Sequence, residues 1–166
     1  MKIKNLSIFV LLLLFGCNGE AAETERISIL KEESNVAFVE ELHILAPKVC
    51  MQNNVQDQES IEPFLIDIEV TGELKGLVDE KWNETMDSRN MLQDDESLGK
   101  FETNGEPFCT SNNLELNEEI TQDEVEKMVT DGGIKVSLTE QDGEVIVTAP
   151  LTDFVLGQPD GSVEKP

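Results

Sequence analysis

The chain has 166 residues and carries 35 Asp and Glu against 12 Lys and Arg, a formal net charge of -23 at pH 7. So acidic a chain has no basic footprint with which to displace the counterions of a phosphate backbone, which excludes nucleic acid as a partner. A hydrophobic share of 39% still allows a folded core, and the length suits one domain.

In chain order the first element is residues 1–17. Lys2 and Lys4 precede an apolar run from Leu6 to Phe15, and Gly16-Cys17 follows it. A positive start, a short apolar stretch and a small residue are the marks of a secretory signal. The run is too short for a bilayer, which needs about 20 residues. Its last four residues, Leu14-Phe15-Gly16-Cys17, resemble the lipobox of bacterial lipoproteins. The resemblance covers only this N-terminal segment and carries no information about the domain behind it. It implies that the Cys17 thiol takes a diacylglyceryl group, that residues 1–16 are cut away, and that the chain is held in the bacterial envelope. Asn18, where Asp would favour the inner membrane, points to the outer membrane, with the domain in the periplasm or at the cell surface. Two or three acyl chains anchor stably where one is marginal, because each buried methylene contributes about 0.8 kcal/mol. Without residues 1–16 the chain has 35 acids and 10 bases, a net charge of -25. Residues 17–26 then form the lipidated Cys and a polar, flexible tether.

With Cys17 assigned to lipid, Cys50 and Cys109 remain. Beyond the cytoplasmic membrane two thiols in one small domain most simply pair. Their bridge closes a loop of about 60 residues, and the chain-entropy model gives about 4 kcal/mol for that size. Neither sulfur sits in a C-x-x-C spacing and His43 is the one histidine, so a Cys/His metal site lacks its usual ligands.

Residues 27–157 read as a single β-rich domain. Ile27 and Ile29 alternate with polar residues as a first strand. Val36, Phe38, Val39, Leu42 and Leu45 recur at spacings of three and four, which predicts a helix over 34–46 ending before Pro47; the Val and Ile content leaves strand as the alternative. Residues 51–63 are loop-like. Phe64, Ile66, Ile68 and Val70 alternate with Asp67, Glu69 and Thr71, the pattern of a half-solvated antiparallel strand. Leu74, Leu77, Val78 and Trp82 continue the sheet after a turn, and residues 87–99 form a polar loop. Residues 100–103 and 107–110 are short strand candidates around Cys109. Thr121-Gln122-Asp123-Glu124 is a capping box, with Ile120 and Val125 placed as a hydrophobic staple and Gly132-Gly133 as the stop, so a helix runs from about 122 to 130. Ile134, Val136 and Leu138, then Val145, Val147 and Ala149, flank Asp142-Gly143 as a β-hairpin. Residues 151–156 add an edge segment, and 158–166 form a flexible tail. The expected fold is α+β and β-rich: a small antiparallel sheet or β-sandwich-like domain with one or two short helices.

No nucleophile elbow, zinc-protease motif, P-loop or dinucleotide fingerprint is present. His43, the sole imidazole, reads as a surface or core-edge residue, so no catalytic residue and no cofactor is assigned. No run matches an EF-hand loop; Asp94, Asp95 and Glu96 are the weak candidates for a divalent cation. Trp82 is a candidate partner anchor, though a lone Trp more often packs in the core. The acids are spread along the whole chain, which suits either a solvated, self-repelling surface or electrostatic capture of a cationic partner. The expectation is a non-enzymatic envelope lipoprotein that binds another envelope protein or a cationic protein. A calcium-binding envelope domain is the alternative.

Overall fold

Eleven strands, two short α-helices and a further helical stretch at 99–102 account for most of the chain that a computed structural model describes, namely residues 26–55, 61–79, 85–92, 99–102, 105–159 and 162–164. The strands are β1 (Ile27–Ile29), β2 (Asn35–Val39), β3 (Ile44–Asn53), β4 (Phe64–Val70), β5 (Met86–Asp87), β6 (Phe108–Ser111), β7 (Leu114–Glu115), β8 (Ile134–Glu140), β9 (Val145–Pro150), β10 (Phe154–Gly157) and β11 (Val163–Glu164). The helices are α1 (Ser88–Leu92) and α2 (Gln122–Thr130). Residues 1–25, with Cys17, and Trp82, Asp94, Asp95 and Glu96 lie outside the described residues.

The strands form two sheets. The larger has seven strands, with β3 at its centre, β1 and β2 along one side of it, β6 and β7 along the other, and β10 and then β11 beyond β2. The smaller runs β5-β4-β8-β9, antiparallel throughout. Alternation sets which side chains go inward. Val36, Phe38, Leu45, Val49 and Met51 of the larger sheet share one apolar cluster with Phe64, Ile66, Ile68, Val136 and Leu138 of the smaller. The domain is thus α+β and sandwich-like, as its alternating sequence pattern implies.

The local signals were followed closely at four places. Residues 64–70 are a strand paired along its whole length with β8. The β8–β9 hairpin turns at Asp142-Gly143, where Gly143 takes φ 92°. Phe108–Ser111 is the strand expected around Cys109. Helix α2 begins at the predicted cap: the Glu124 carboxylate accepts from the Thr121 N–H at 3.2 Å and from its hydroxyl at 2.6 Å.

Elsewhere the structure departs from expectation. The predicted helix over 34–46 is a hairpin: β2 and β3 pair from Asn35↔Lys48 to Val39↔Ile44. Glu40–Leu42 form a single 3-10 turn, and His43 reverses the chain at φ 51°. The apparent helical spacing arose because that turn separates two period-two runs, Val36/Phe38 and Leu45/Pro47. Residues 99–102 are helical instead of extended, and the fully buried Phe101 stands between Phe64 and Phe108, 6.2 Å from each. Such tilted aromatic pairs stabilise beyond their area alone. Part of the expected polar loop folds as β5 and α1, and the buried Ser88 hydroxyl accepts the Phe64 N–H at 2.9 Å. Residues 72–76 form a 3-10 turn, leaving Val78 in an isolated bridge to Leu116. The final segments are also more ordered than expected. β10 is interior and parallel to β2, and β11, inside the segment read as a tail, covers its far side.

Candidate functional site

Two interruptions in the larger sheet build its most unusual face. Pro47 lies in the middle of β3 and has no N–H to give. Its carbonyl accepts from Asn112 at 3.2 Å, so the missing donor falls on the side of β6 and β7. Those two strands share one register along β3 and break at Asn112-Asn113, opposite Pro47 and Ala46. On the other flank, residues 30–34 bulge out between β1 and β2 opposite Val49 and Cys50. The bulge would leave the Cys50 N–H without a ladder partner, but the buried Ser34 hydroxyl accepts it at 2.9 Å and donates to the Leu30 carbonyl at 2.8 Å.

Cys50 and Cys109 stand directly opposite each other on β3 and β6 and are joined by a disulfide, with Cα atoms 4.0 Å apart. The backbone groups of Cys50 point towards the bulge, so the cysteines occupy a non-hydrogen-bonded pair, where side chains of neighbouring strands come closest. The pairing expected from cysteine usage is the one observed. Cys50 is buried, Cys109 is exposed, and a carboxylate oxygen of Glu33 lies within 4.8 Å of both sulfurs. Both thiol protons are gone, so the 3.3 Å approach of Cys50 Sγ to the Glu33 carbonyl is a packing contact. For the same reason this cluster is not a metal site.

The disulfide lies on the outer face of the larger sheet, the face turned away from the core. A groove of about 420 Å³ runs across it, lined among others by Ala37, Val39, Leu42, Ile44, Ala46 and Val163. Three large hydrophobic side chains are well exposed among the described residues, and two of them border this groove: Leu42 at 53% and Val163 at 56%. Gly157 deepens it, since a Cβ there would come within 2.8 Å of Val39 Cγ2. Lys48 is the one charged residue in the lining. The acids stand at the two ends. Glu40 and Glu41 are exposed in the turn that carries Leu42, and exposed Glu115 pairs across from Ile44. At the opposite end, beside the disulfide on the bulge flank of β3, stands Glu33.

The outer face of the smaller sheet is chemically different. Asp67 and Glu69 of β4 lie opposite Ser137 and Lys135 of β8, and Ser137 and Thr148 share a 2.9 Å hydrogen bond. At the end of that sheet, carboxylates of Glu140, Asp142 and Glu144 gather within 4.8 Å of one another on the hairpin, with Arg26 3.4 Å from Glu140.

His43 shapes the β2–β3 turn: its N–H donates to the Glu40 carbonyl at 3.1 Å and its carbonyl accepts from Leu116 at 2.9 Å. Its Nδ1 is buried without a hydrogen-bond partner. The shifted carboxyls have structural causes. Hydrogen bonds from Thr121 hold Glu124 below the ordinary carboxylate range, those from Arg89 do the same for Asp87, and burial pushes Glu102 up. Sequence reasoning did not find the groove, because reading 34–46 as a helix hid the alternation of Ala37, Val39, Ile44 and Ala46 along one sheet face. Among the described residues no helix is long and apolar enough to cross a membrane. Compared with known proteins, the chain matches no family model, no curated protein and no solved structure.

Proposed function

We propose that the chain is a lipid-anchored protein of the bacterial envelope, held by Cys17 in the outer membrane, whose domain captures a cationic protein partner without enzymatic chemistry. The observation that carries the anchor is the sequence Leu14-Phe15-Gly16-Cys17 at the end of a lysine-led apolar run. The Cys50–Cys109 bridge supports the same compartment, since disulfides persist where thiols are not kept reduced. Capture of a cationic protein is supported by the net charge and by an apolar face with acids at its ends, since complementary charge speeds and orients association.

Cys17→Ala tests the anchor: the variant should accumulate as an uncut precursor that takes up no labelled palmitate, and normal labelling would refute the assignment. Capture is tested with lysozyme as a generic cationic protein. Binding should weaken steeply between low and physiological salt, and no salt-sensitive binding to this or other cationic proteins would remove the reading.

A further inference from the structure

We infer that the outer face of the larger sheet is the docking surface, and that it takes an extended partner segment with an apolar centre and a Lys or Arg at each end; this rests on the capture reading above. The part of the groove floor built by Ala37, Val39, Ile44 and Ala46 is apolar and small-residued, so it accepts aliphatic side chains, while Lys48 is the one charge set among polar residues towards the disulfide. Its acids lie at the ends: Glu40, Glu41 and Glu115 beside Leu42 and Ile44, and Glu33 beside the disulfide. From Ile44 to Cys50 the β3 strand advances six residues, about 20 Å at about 3.3 Å per residue. A strand laid along β3 would therefore present cations about six positions apart, on the same side as the two apolar residues between them, because side chains alternate with period two. Face-to-face strand packing nearly aligned with the sheet gives that geometry.

Two other occupants fit less well. A second copy in a two-fold contact sets each patch against itself, so the acidic ends of one groove would face those of the other, between cut chains that each carry a net charge of -25. The chain's own tether, Asn18-Gly-Glu-Ala-Ala-Glu-Thr-Glu25, offers nothing apolar larger than Ala and brings three more acids. A cationic partner relieves the charge that both of these would add.

The test uses the full lipidated protein in phosphatidylcholine nanodiscs, whose neutral lipid does not itself attract cations. The probe is a fluorescent peptide, Lys-Ser-Val-Ser-Val-Ser-Lys, with versions ending in Glu or carrying Ser in place of Val, and one with a photoreactive centre. The Lys-ended, Val-centred peptide should bind about tenfold more tightly than either control, a difference of about 1.4 kcal/mol, and should cross-link within residues 35–48. Leu42→Ser with Val163→Ser should abolish that preference with an unchanged melting temperature, since both side chains are already exposed. Glu115→Gln, a second and gentler variant, should weaken only the Lys-ended peptide. Equal binding of Val-centred and Ser-centred peptides, or cross-linking elsewhere, would overturn this docking surface while leaving electrostatic capture intact. No binding of any Lys-ended peptide, together with no salt-sensitive binding of lysozyme, would remove both. A concentration-dependent dimer broken by Leu42→Ser and Val163→Ser would overturn the inference in favour of a second copy.

Discussion

The two sheets solve the same packing problem with opposite means. The smaller one keeps closer to the elementary pattern: β4 and β8 pair over seven residues without a break, apolar side chains face inward, Asp67, Glu69, Ser137 and Thr148 lie on the other face, and its departures are a register shift at Leu138/Thr139 and the Ser88 hydroxyl that takes the Phe64 N–H. The larger one is broken on both flanks of β3, needs a hydroxyl from Ser34 and a sulfur bridge to hold its edges, and shows water an apolar face. Regular backbone pairing needs no help from side chains, whereas each interruption must be repaired by a particular residue.

The largest expected effect comes from the bridge. Replacing both sulfurs, Cys50→Ala with Cys109→Ala, should cost about 4 kcal/mol in urea unfolding, and reductant should lower the wild-type midpoint to that of the variant. Amide exchange sharpens the comparison: β3 and β6 should speed up more than β4 and β8. Equal acceleration in both sheets would break it, by showing a single cooperative unit. Next in size is Leu138→Ala in the fully buried core of the smaller sheet, expected to cost about 3 kcal/mol and to leave the disulfide formed, as thiol counting would show. Ser34→Ala should cost about 2 kcal/mol, because it strands the buried Cys50 N–H and removes a bond to Leu30. A loss no larger than for the half-buried Ser137 of β8 would deny the hydroxyl its repairing role.

The smallest effect lies in helix α2, outside both sheets. Glu124 is held below its ordinary value by Thr121, so its contribution is fully present above the unfolded-state value and is lost as pH falls through the depressed folded one. Glu124→Gln should therefore lower the melting temperature by a few degrees at most near neutrality, with the wild type converging on the variant in acid. A gap that widens in acid would reverse the sign of that linkage.

How much of this was legible depended on whether a signal was local. The capping box at Thr121, the clean alternation from Phe64 to Val70 and the Asp142-Gly143 turn each act within a few residues, and each appears where the sequence places it. The Cys50–Cys109 pair was legible by a different route, from cysteine usage. What the sequence could not show by inspection were the tertiary choices. The three-and-four spacing over 34–46 pointed to a helix ending before Pro47; here Pro47 lies within β3, and the β6–β7 break absorbs its missing donor. β10 looked like an edge because nothing local marks a parallel partner more than a hundred residues away. The groove followed from neither, since it exists only once β2, β3 and β10 are side by side.

That long-range partnership has a consequence for the order in which the molecule can be assembled. β2 and β3 are neighbours in the chain, yet the open flank of β2 waits for Phe154, Val155 and Leu156, more than a hundred residues further along. A chain emerging from its N-terminus can close the β2–β3 hairpin at once but must carry an unsatisfied strand edge until that distant segment has followed. The C-terminal segment is therefore the latch of the larger sheet, and a chain that stops before it would hold the hairpin without the fold.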